Sequence, residues 1–369
     1  MMNNFKRKAL LASLLASIPF SPPLIFSAST AFTSSVLMFS FAERVHANRR
    51  ADFYFERAYQ KSNKDDFSGA LADYDKAIEI DPNEDVYFFN RALIKEEFED
   101  YLGAISDYSK AIELNNNDSD SYNNRGLLKS SELGDDSGAI ADYTKAIKIN
   151  SKDDLAYYNR ALSKDNLGDY SGAMLDYTKS IKLKPSPGAY NNRGLIKADE
   201  LGDDSGAIAD YTKAIEIDPN YSLAYTNRGV SKSTLEDYSG ALTDFSKAIE
   251  IDPNNAYSYF ERAYSKSESG DHYGAISDYS KSIKIDPTDS VAYNNRGNSK
   301  ASLDNISGAI ADFTKAIEID PENAFAYYNR AENKGILGDM DGACEDWRKA
   351  SALGDEDAAE FVKEDCKRN

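Results

Sequence analysis

Nine arginines recur along the chain at Arg57, Arg91, Arg125, Arg160, Arg193, Arg228, Arg262, Arg296 and Arg330, separated by 34, 34, 35, 33, 35, 34, 34 and 34 residues. Each is followed, sixteen or seventeen residues later, by an aspartate: Asp73, Asp107, Asp142, Asp176, Asp210, Asp244, Asp278, Asp312 and Asp346. A guanidinium is permanently charged and carries a rigid fork of donors that matches a carboxylate in two parallel bonds. The arginines sit inside stretches such as YNNRGLLKS, whose spacing reads as one packed face of a helix. Nine buried, unpaired guanidiniums would cost more than a fold could offset. The expected chemistry is therefore a repeated Arg–Asp bridge between two helices, with a ladder for anionic ligands as the alternative. Nine lysines, from Lys61 through Lys129 to Lys334, lie four residues after the arginines and share their face. They are expected to be solvated or paired with local acids.

The residue before each arginine is a second candidate. It is asparagine at Asn90, Asn124, Asn159, Asn192, Asn227, Asn295 and Asn329, and glutamate at Glu56 and Glu261. A carboxamide both donates and accepts, so a regular row could hold the backbone of an extended peptide without reading its side chains. One residue earlier stands a varied set that includes Phe89, Tyr158, Phe260 and Tyr328 and could supply selectivity. The competing reading is that each asparagine satisfies a neighbouring loop or helix end, since buried amides usually serve structure.

These residues are positioned by a repeat. Each unit runs close to Y-x-N-R-[AG]-x-x-K, a G-D or D-D break, and then S-G-A-I-x-D-Y-x-K-A-I-x-I-D-P, which reads as two helices. In the second segment Ala70, Tyr74 and Ala77 are spaced by four and three, one helical face; Asp66 is placed to cap that helix, and Pro82 cannot continue it. Prolines 185, 219, 253, 287 and 321 repeat the stop, whereas Asn116 and Ser151 replace it in units two and three. Units three and five each carry one extra residue, in SSELGDD and ADELGDD, and unit four is one short. The expected units are 51–84, 85–118, 119–153, 154–186, 187–221, 222–255, 256–289, 290–323 and 324–357.

The chain resembles a tetratricopeptide repeat protein. The resemblance is carried by the small residue after the arginine, the alanine of SGA, the aromatic of DY and the small residue of KAI, which in unit one are Ala58, Ala70, Tyr74 and Ala77. It spans Ala51 to about Asp357, with Ser180 and Ser282 as the mildest departures and Trp347 in the last aromatic position. It implies an all-α fold, a right-handed superhelical α-solenoid of nine helix-turn-helix repeats, with first helices lining a concave groove and a capping helix at 358–369. Small side chains let helices approach while the aromatic fills the space between pairs; Gly69, Gly103, Gly138 and their equivalents are expected to extend that contact. Similarity to repeat proteins with asparagine ladders supports a peptide in the groove. The groove positions lack lysine, so the basic clamp that some relatives use for C-terminal carboxylates is not expected.

Composition narrows the partner. Residues 1–50 carry six basic side chains and one acidic, leaving 37 basic against 61 acidic and a formal charge of −24 for the remainder. Such a surface repels phosphate backbones, so a protein or peptide partner is expected and nucleic acid is not. Catalysis finds little support: His46 and His272 are the only histidines, no phosphate-binding glycine loop is present, and the repeats use up the chain. No cofactor, metal or small-molecule substrate is expected.

At the N-terminus, Lys6, Arg7 and Lys8 precede the apolar run ALLASLLASIPF, and no charge follows until Glu43. This order suits an export signal over residues 1–47, with residues 48–50 as linker and a cut near Val45-His46-Ala47 or, earlier, at the small residues Ser27, Ser29 and Ala31. The 19 uncharged residues Leu24 to Ala42 could instead span a bilayer, and a transit peptide is a third reading. Cys344 and Cys366, the only cysteines, would staple the C-terminal cap if the chain is exported to the periplasm or cell exterior. The expected function is a scaffold that binds a protein or peptide, with a membrane-tethered assembly factor as the alternative should the N-terminal segment stay uncleaved.

Overall fold

The computed structural model describes residues 49–366, which form nineteen α-helices and no strand among them. The expectations for residues 1–47 lie outside these residues. Two compact units divide the chain. In the first lie α1 (Arg49–Ser62), α2 (Phe67–Ile80), α3 (Asp85–Glu97), α4 (Tyr101–Leu114), α5 (Ser119–Ser131) and α6 (Asp136–Ile149). In the second lie α7 (Asp154–Asn166), α8 (Tyr170–Leu183), α9 (Pro187–Asp199), α10 (Asp204–Ile217), α11 (Ser222–Thr234), α12 (Tyr238–Ile251), α13 (Ala256–Glu268), α14 (His272–Ile285), α15 (Ser290–Ala301), α16 (Ile306–Ile319), α17 (Ala324–Ile336), α18 (Met340–Ala352) and α19 (Glu356–Glu364). Odd-numbered α1 to α17 are the first helices of the repeats and the even-numbered ones the second. Each first helix packs on the second helix of its own repeat, and within each unit that second helix packs on the next first helix.

Local chemistry sets the boundaries. Every second helix is capped by an aspartate, or by Asn305, whose side chain accepts from the backbone N–H three residues on, as Asp66 does from Gly69 at 3.0 Å. That bond explains the glycines of the SGA motif and corrects their expected role. A Cβ on Gly69 or Gly206 would stand 2.2 or 2.0 Å from the capping carboxylate of its own helix, with no other helix in the way. The close helix contacts are elsewhere, at the glycine after the arginine: a Cβ on Gly194 would lie 2.7 Å from the Tyr211 ring. The turn between the two helices is left-handed at one residue per repeat, glycine at five of the nine positions but Asp65, Glu99, Glu236 and Asp304 at φ of 59–63°.

The core of each repeat is the inward face of its second helix. Tyr74, Tyr108, Tyr143, Tyr177, Tyr211, Phe245, Tyr279 and Phe313 are 0–1% exposed, flanked by fully buried alanines. Two boundaries depart from expectation. Residues 49–50, expected as linker, already belong to α1; and the capping helix starts at Glu356, because the Asp355 side chain accepts from Ala358 N at 2.7 Å. The cap α19 lays Phe361 flat on Trp347, with ring centroids 4.9 Å apart, and Cys344 and Cys366 are joined in a disulfide.

Two outcomes follow. Gly194→Ala forces the buried Tyr211 ring to shift from its present position, so it is expected to lower the stability of the longer unit by roughly 1–3 kcal/mol in a urea titration, whereas Gly206→Ala loses only a cap, about 1 kcal/mol. Reducing the disulfide, which closes a 22-residue separation, should cost about 3 kcal/mol on the loop-entropy view, read as earlier melting of the C-terminal repeats by hydrogen exchange.

Candidate interaction surface

The arginine, lysine and aspartate series meet in every repeat. Arg193 Nε and Nη2 donate to the two oxygens of Asp210 at 2.9 and 2.6 Å, and Lys197 Nζ stands 2.7 Å from the same carboxylate. The same trio forms from Arg57, Lys61 and Asp73 through to Arg330, Lys334 and Asp346. Of the two expectations for the lysines, pairing with a local acid is the one that holds, because the carboxylate between them and the arginines removes the repulsion. Arg57's hydrogen bonds hold the Asp73 carboxyl down at about 2. Burial pushes Asp278 up, yet the bonds from Arg262 and Lys266 outweigh it and hold it below the usual range.

Seven of the arginines also reach beyond their own repeat. The third nitrogen, Nη1, donates to the preceding second helix: Arg91 to Asp75 at 2.7 Å, and Arg125, Arg193, Arg228, Arg262, Arg296 and Arg330 to Ser109, Thr178, Thr212, Ser246, Ser280 and Thr314 at 3.0–3.1 Å. The guanidinium also lies 5.1–5.6 Å from the ring three residues earlier. The arginines are consumed in joining helices, which leaves no anion ladder.

The asparagine row is only partly available. Asn90 is 7% exposed and donates to Val86 O in its own helix, so it cannot meet a partner. Asn124 donates to Tyr108 Oη, Asn192 to Tyr158 and Tyr177 Oη, Asn227 to Asn191 Oδ1 and Asn329 to Asn294 Oδ1. Asn295 hydrogen-bonds Tyr279. Asn159 is half-buried, and Glu261 is buried. The expected selectivity residues are likewise turned inward. Phe260 is 5% exposed, and Phe89, Tyr158 and Phe260 pack edge-on against Tyr108, Tyr177 and Tyr279 at 5.5–5.8 Å, while Tyr328 packs on Phe361. The reason is geometric: one residue along a helix is a rotation of about 100°, which carries this position from the outer face to the helix pair's interior.

The outer face carries other residues. Four positions before Asn159, Asn227 and Asn329 stand Leu155, Leu223 and Phe325, exposed by 55, 45 and 60%. Four is one helical turn, so each apolar side chain and its asparagine share a face. In the longer unit consecutive first helices from α9 to α17 touch one another, so Leu223 on α11 and Phe325 on α17 belong to one continuous layer, and Asn192 on α9 donates to Tyr158 Oη on α7, the helix that carries Leu155. The side-chain amide oxygens of Asn227 and Asn329 accept no hydrogen bond among the described residues, while their Nδ2 atoms donate to Asn191 and Asn294. The spacing of four was present in the sequence, but apolar residues in a helix are read by default as core.

Models of the tetratricopeptide repeat match residues 51–84, 86–118, 119–153 and 155–187, residues 222–255 and 290–323, and residues 245–276, and a TPR repeat model matches residues 200–232. The chain belongs to the tetratricopeptide repeat family. Among solved TPR structures, the C-terminal part of a TPR repeat-containing protein from Cytophaga hutchinsonii is similar at 18% identity with a TM-score of 0.53, over 65% of this chain and 98% of that one. A TPR protein from Parabacteroides merdae gives 20% identity and a TM-score of 0.51, over 66% and 97%. PilW, a type IV pilus biogenesis factor, gives 19% identity and 0.51, over 56% and 96%. No curated protein matches the chain in sequence. The TPR pattern continues beyond the matched residues, since α17 and α18 repeat the same trio with Trp347 in the aromatic position.

Two half-buried acids sit where first helices end. Burial pushes Glu96 up to about 7 despite the hydrogen bond from Tyr108, and pushes Asp165 up to about 6, with Glu200 and Asp199 adding to it. A carboxyl whose folded pKa is raised contributes stability below its unfolded pKa that is lost as pH rises through the folded value. Glu96 should therefore cost the first unit stability between about pH 4.5 and 7, and Glu96→Gln should raise its unfolding midpoint at pH 8 while changing little at pH 4. In the longer unit, Asp210→Asn strands both Arg193 and Lys197, whereas Arg193→Ala leaves Lys197 on the carboxylate. Denaturant titrations should give losses of about 3 and about 2 kcal/mol respectively; the reverse order would contradict the shared-carboxylate account.

Proposed function

We propose that this TPR scaffold holds a protein or peptide partner along the first-helix face of its longer unit, with Leu155, Leu223 and Phe325 supplying apolar contacts and asparagine carbonyls accepting from the partner's backbone. The family is one of protein–protein interaction scaffolds. The observation that carries the finer reading is the exposure of large apolar side chains at one register on that helix layer, where an isolated protein gains nothing by leaving them in water. Backbone recognition by carboxamides suits an extended segment, and the acidic body favours a neutral or basic one.

The proposed setting is outside the cytoplasm. The Cys344–Cys366 disulfide persists where the environment is oxidising, and the basic-then-apolar order of residues 6–20 is that of an export signal. The second reading, a membrane-tethered assembly factor, needs Leu24 to Ala42 to stay attached; among the described residues no helix is long and apolar enough to cross a membrane. N-terminal sequencing of the protein from its native compartment separates the two.

The test of the face is a triple change, Leu155→Ser, Leu223→Ser and Phe325→Ser, with unfolding and partner cross-linking measured together. Unchanged unfolding with lost cross-linking is expected, because the three side chains are exposed. Retained cross-linking at unchanged stability would sink the proposal.

A further inference from the structure

The two ends of the array are not alike. In later repeats the residue four before the arginine lies under a preceding second helix: Tyr87 is 3% exposed, and Ser121, Ala189, Ala224, Ser258, Ala292 and Ala326 are 0%. The equivalent residue of α1 is Phe53, exposed by 55%. The Arg57 side chain is 40% exposed where its eight counterparts are 15–18%. Its Nε and Nη2 bind Asp73, but Nη1, which in Arg91 reaches Asp75, has no acceptor among the described residues. The C-terminal end, by contrast, is closed by α19.

We propose that the outer face of α1 docks an acidic helix from another protein, one that covers Phe53 and Tyr54 and offers a carboxylate to Arg57 Nη1. The chain holds its own example of such a contact. α3 carries the same pattern as α1, two aromatics and then an arginine (Tyr87, Phe88 and Arg91 against Phe53, Tyr54 and Arg57). The helix that covers α3 is α2, with Ala70, Tyr74 and Ala77 packed around Tyr87 and Asp75 on Arg91. Exposed Arg50 adds positive charge to this face on an otherwise acidic body, which steers an acidic partner to it.

Two other occupants fit poorly. A second copy would have to offer α18, but that helix is covered by α19 and carries Arg348 two residues after its bridging aspartate, where α2 carries Asp75. Arginine would then face arginine. The chain's own upstream residues place Phe41, which cannot accept a hydrogen bond from its side chain, sixteen residues before Arg57, the separation of Asp75 from Arg91.

The probe is a helix-stapled peptide of residues 66–82, the α2 segment, titrated by fluorescence anisotropy against chain 1–369 and against chain 48–369, which retains every contact described. Saturable binding to both is expected. Asp75→Lys in the peptide, and Arg57→Lys or Phe53→Ser in the chain, should each weaken it about tenfold, the scale of one charge-assisted bond or one aromatic anchor. Arg57→Lys keeps a cation beside Asp73, and circular dichroism checks that helicity is unchanged. Absence of saturable binding to either chain, or binding indifferent to these changes in folded protein, overturns the proposal. Binding to 48–369 but not to 1–369 overturns it as well, by assigning the face to the chain's own upstream residues.

Discussion

The arrangement depends on one carboxylate per repeat, held 2–5% exposed between two cations that reach it from the other helix. A buried carboxylate is costly to desolvate, and its cost is met only when both oxygens are filled with good geometry. Filling them requires the arginine fork and the lysine together, which fixes how far the two helices can slide or rotate against each other. The insertion in units three and five shows which part of the repeat yields. Arg125–Asp142 and Arg193–Asp210 are seventeen residues apart rather than sixteen, yet their bonds stay at 2.6–2.9 Å. The extra residue is taken up in the turn, where a left-handed glycine, Gly134 or Gly202, lets the chain adjust.

The same arginine couples repeats to one another. Its third nitrogen reaches a hydroxyl or carboxylate on the helix before, so a single side chain touches three helices. The hydroxyl that accepts in the middle of the array also returns a bond to its own helix: Ser280 Oγ donates to Ile276 O and Thr314 Oγ1 to Ile310 O. At Ser109, Thr212, Ser246, Ser280 and Thr314 the accepting oxygen is thus fixed by its own proton before the arginine arrives.

What the sequence made legible follows from this coupling. The repeat, the caps at Asp66 and its equivalents, the small residues at Ala70 and Ala77 and the Arg–Asp partnership all leave a fixed spacing, because each is a contact between elements of constant length. Which of the two lysine readings holds was not legible, because spacing along one helix shows two like charges four residues apart and does not show the acid that enters between them from a second helix. The aromatic positions face the helix pair's interior for a different reason, and both readings of the asparagines find an example: Asn90 serves its own helix, while the side-chain oxygens of Asn227 and Asn329 stay open. Residues 158 and 159 differ by one step of rotation, and which of them faces out depends on the angle at which α7 meets α8. The exposed Leu155, Leu223 and Phe325 were missed because exposure is set by what does not cover a residue.

The face those residues occupy is kept open by how the first helices are joined. In the longer unit they are linked by short polar pairs: Asn227 to Asn191, Thr226 Oγ1 with Ser258 Oγ at 2.8 Å, Ser233 with Ser265 at 2.9 Å and Asn329 to Asn294. A buried hydroxyl pair contributes only about 1 kcal/mol net, less than a pair of packed leucines would. It does, however, require little volume and a defined distance. Joining the layer with small polar side chains lets neighbouring first helices lie close without spending large apolar residues on the seam between them. Those residues are left for the outer turn of each helix, which is why a layer this well connected still presents leucine and phenylalanine to whatever lies across it.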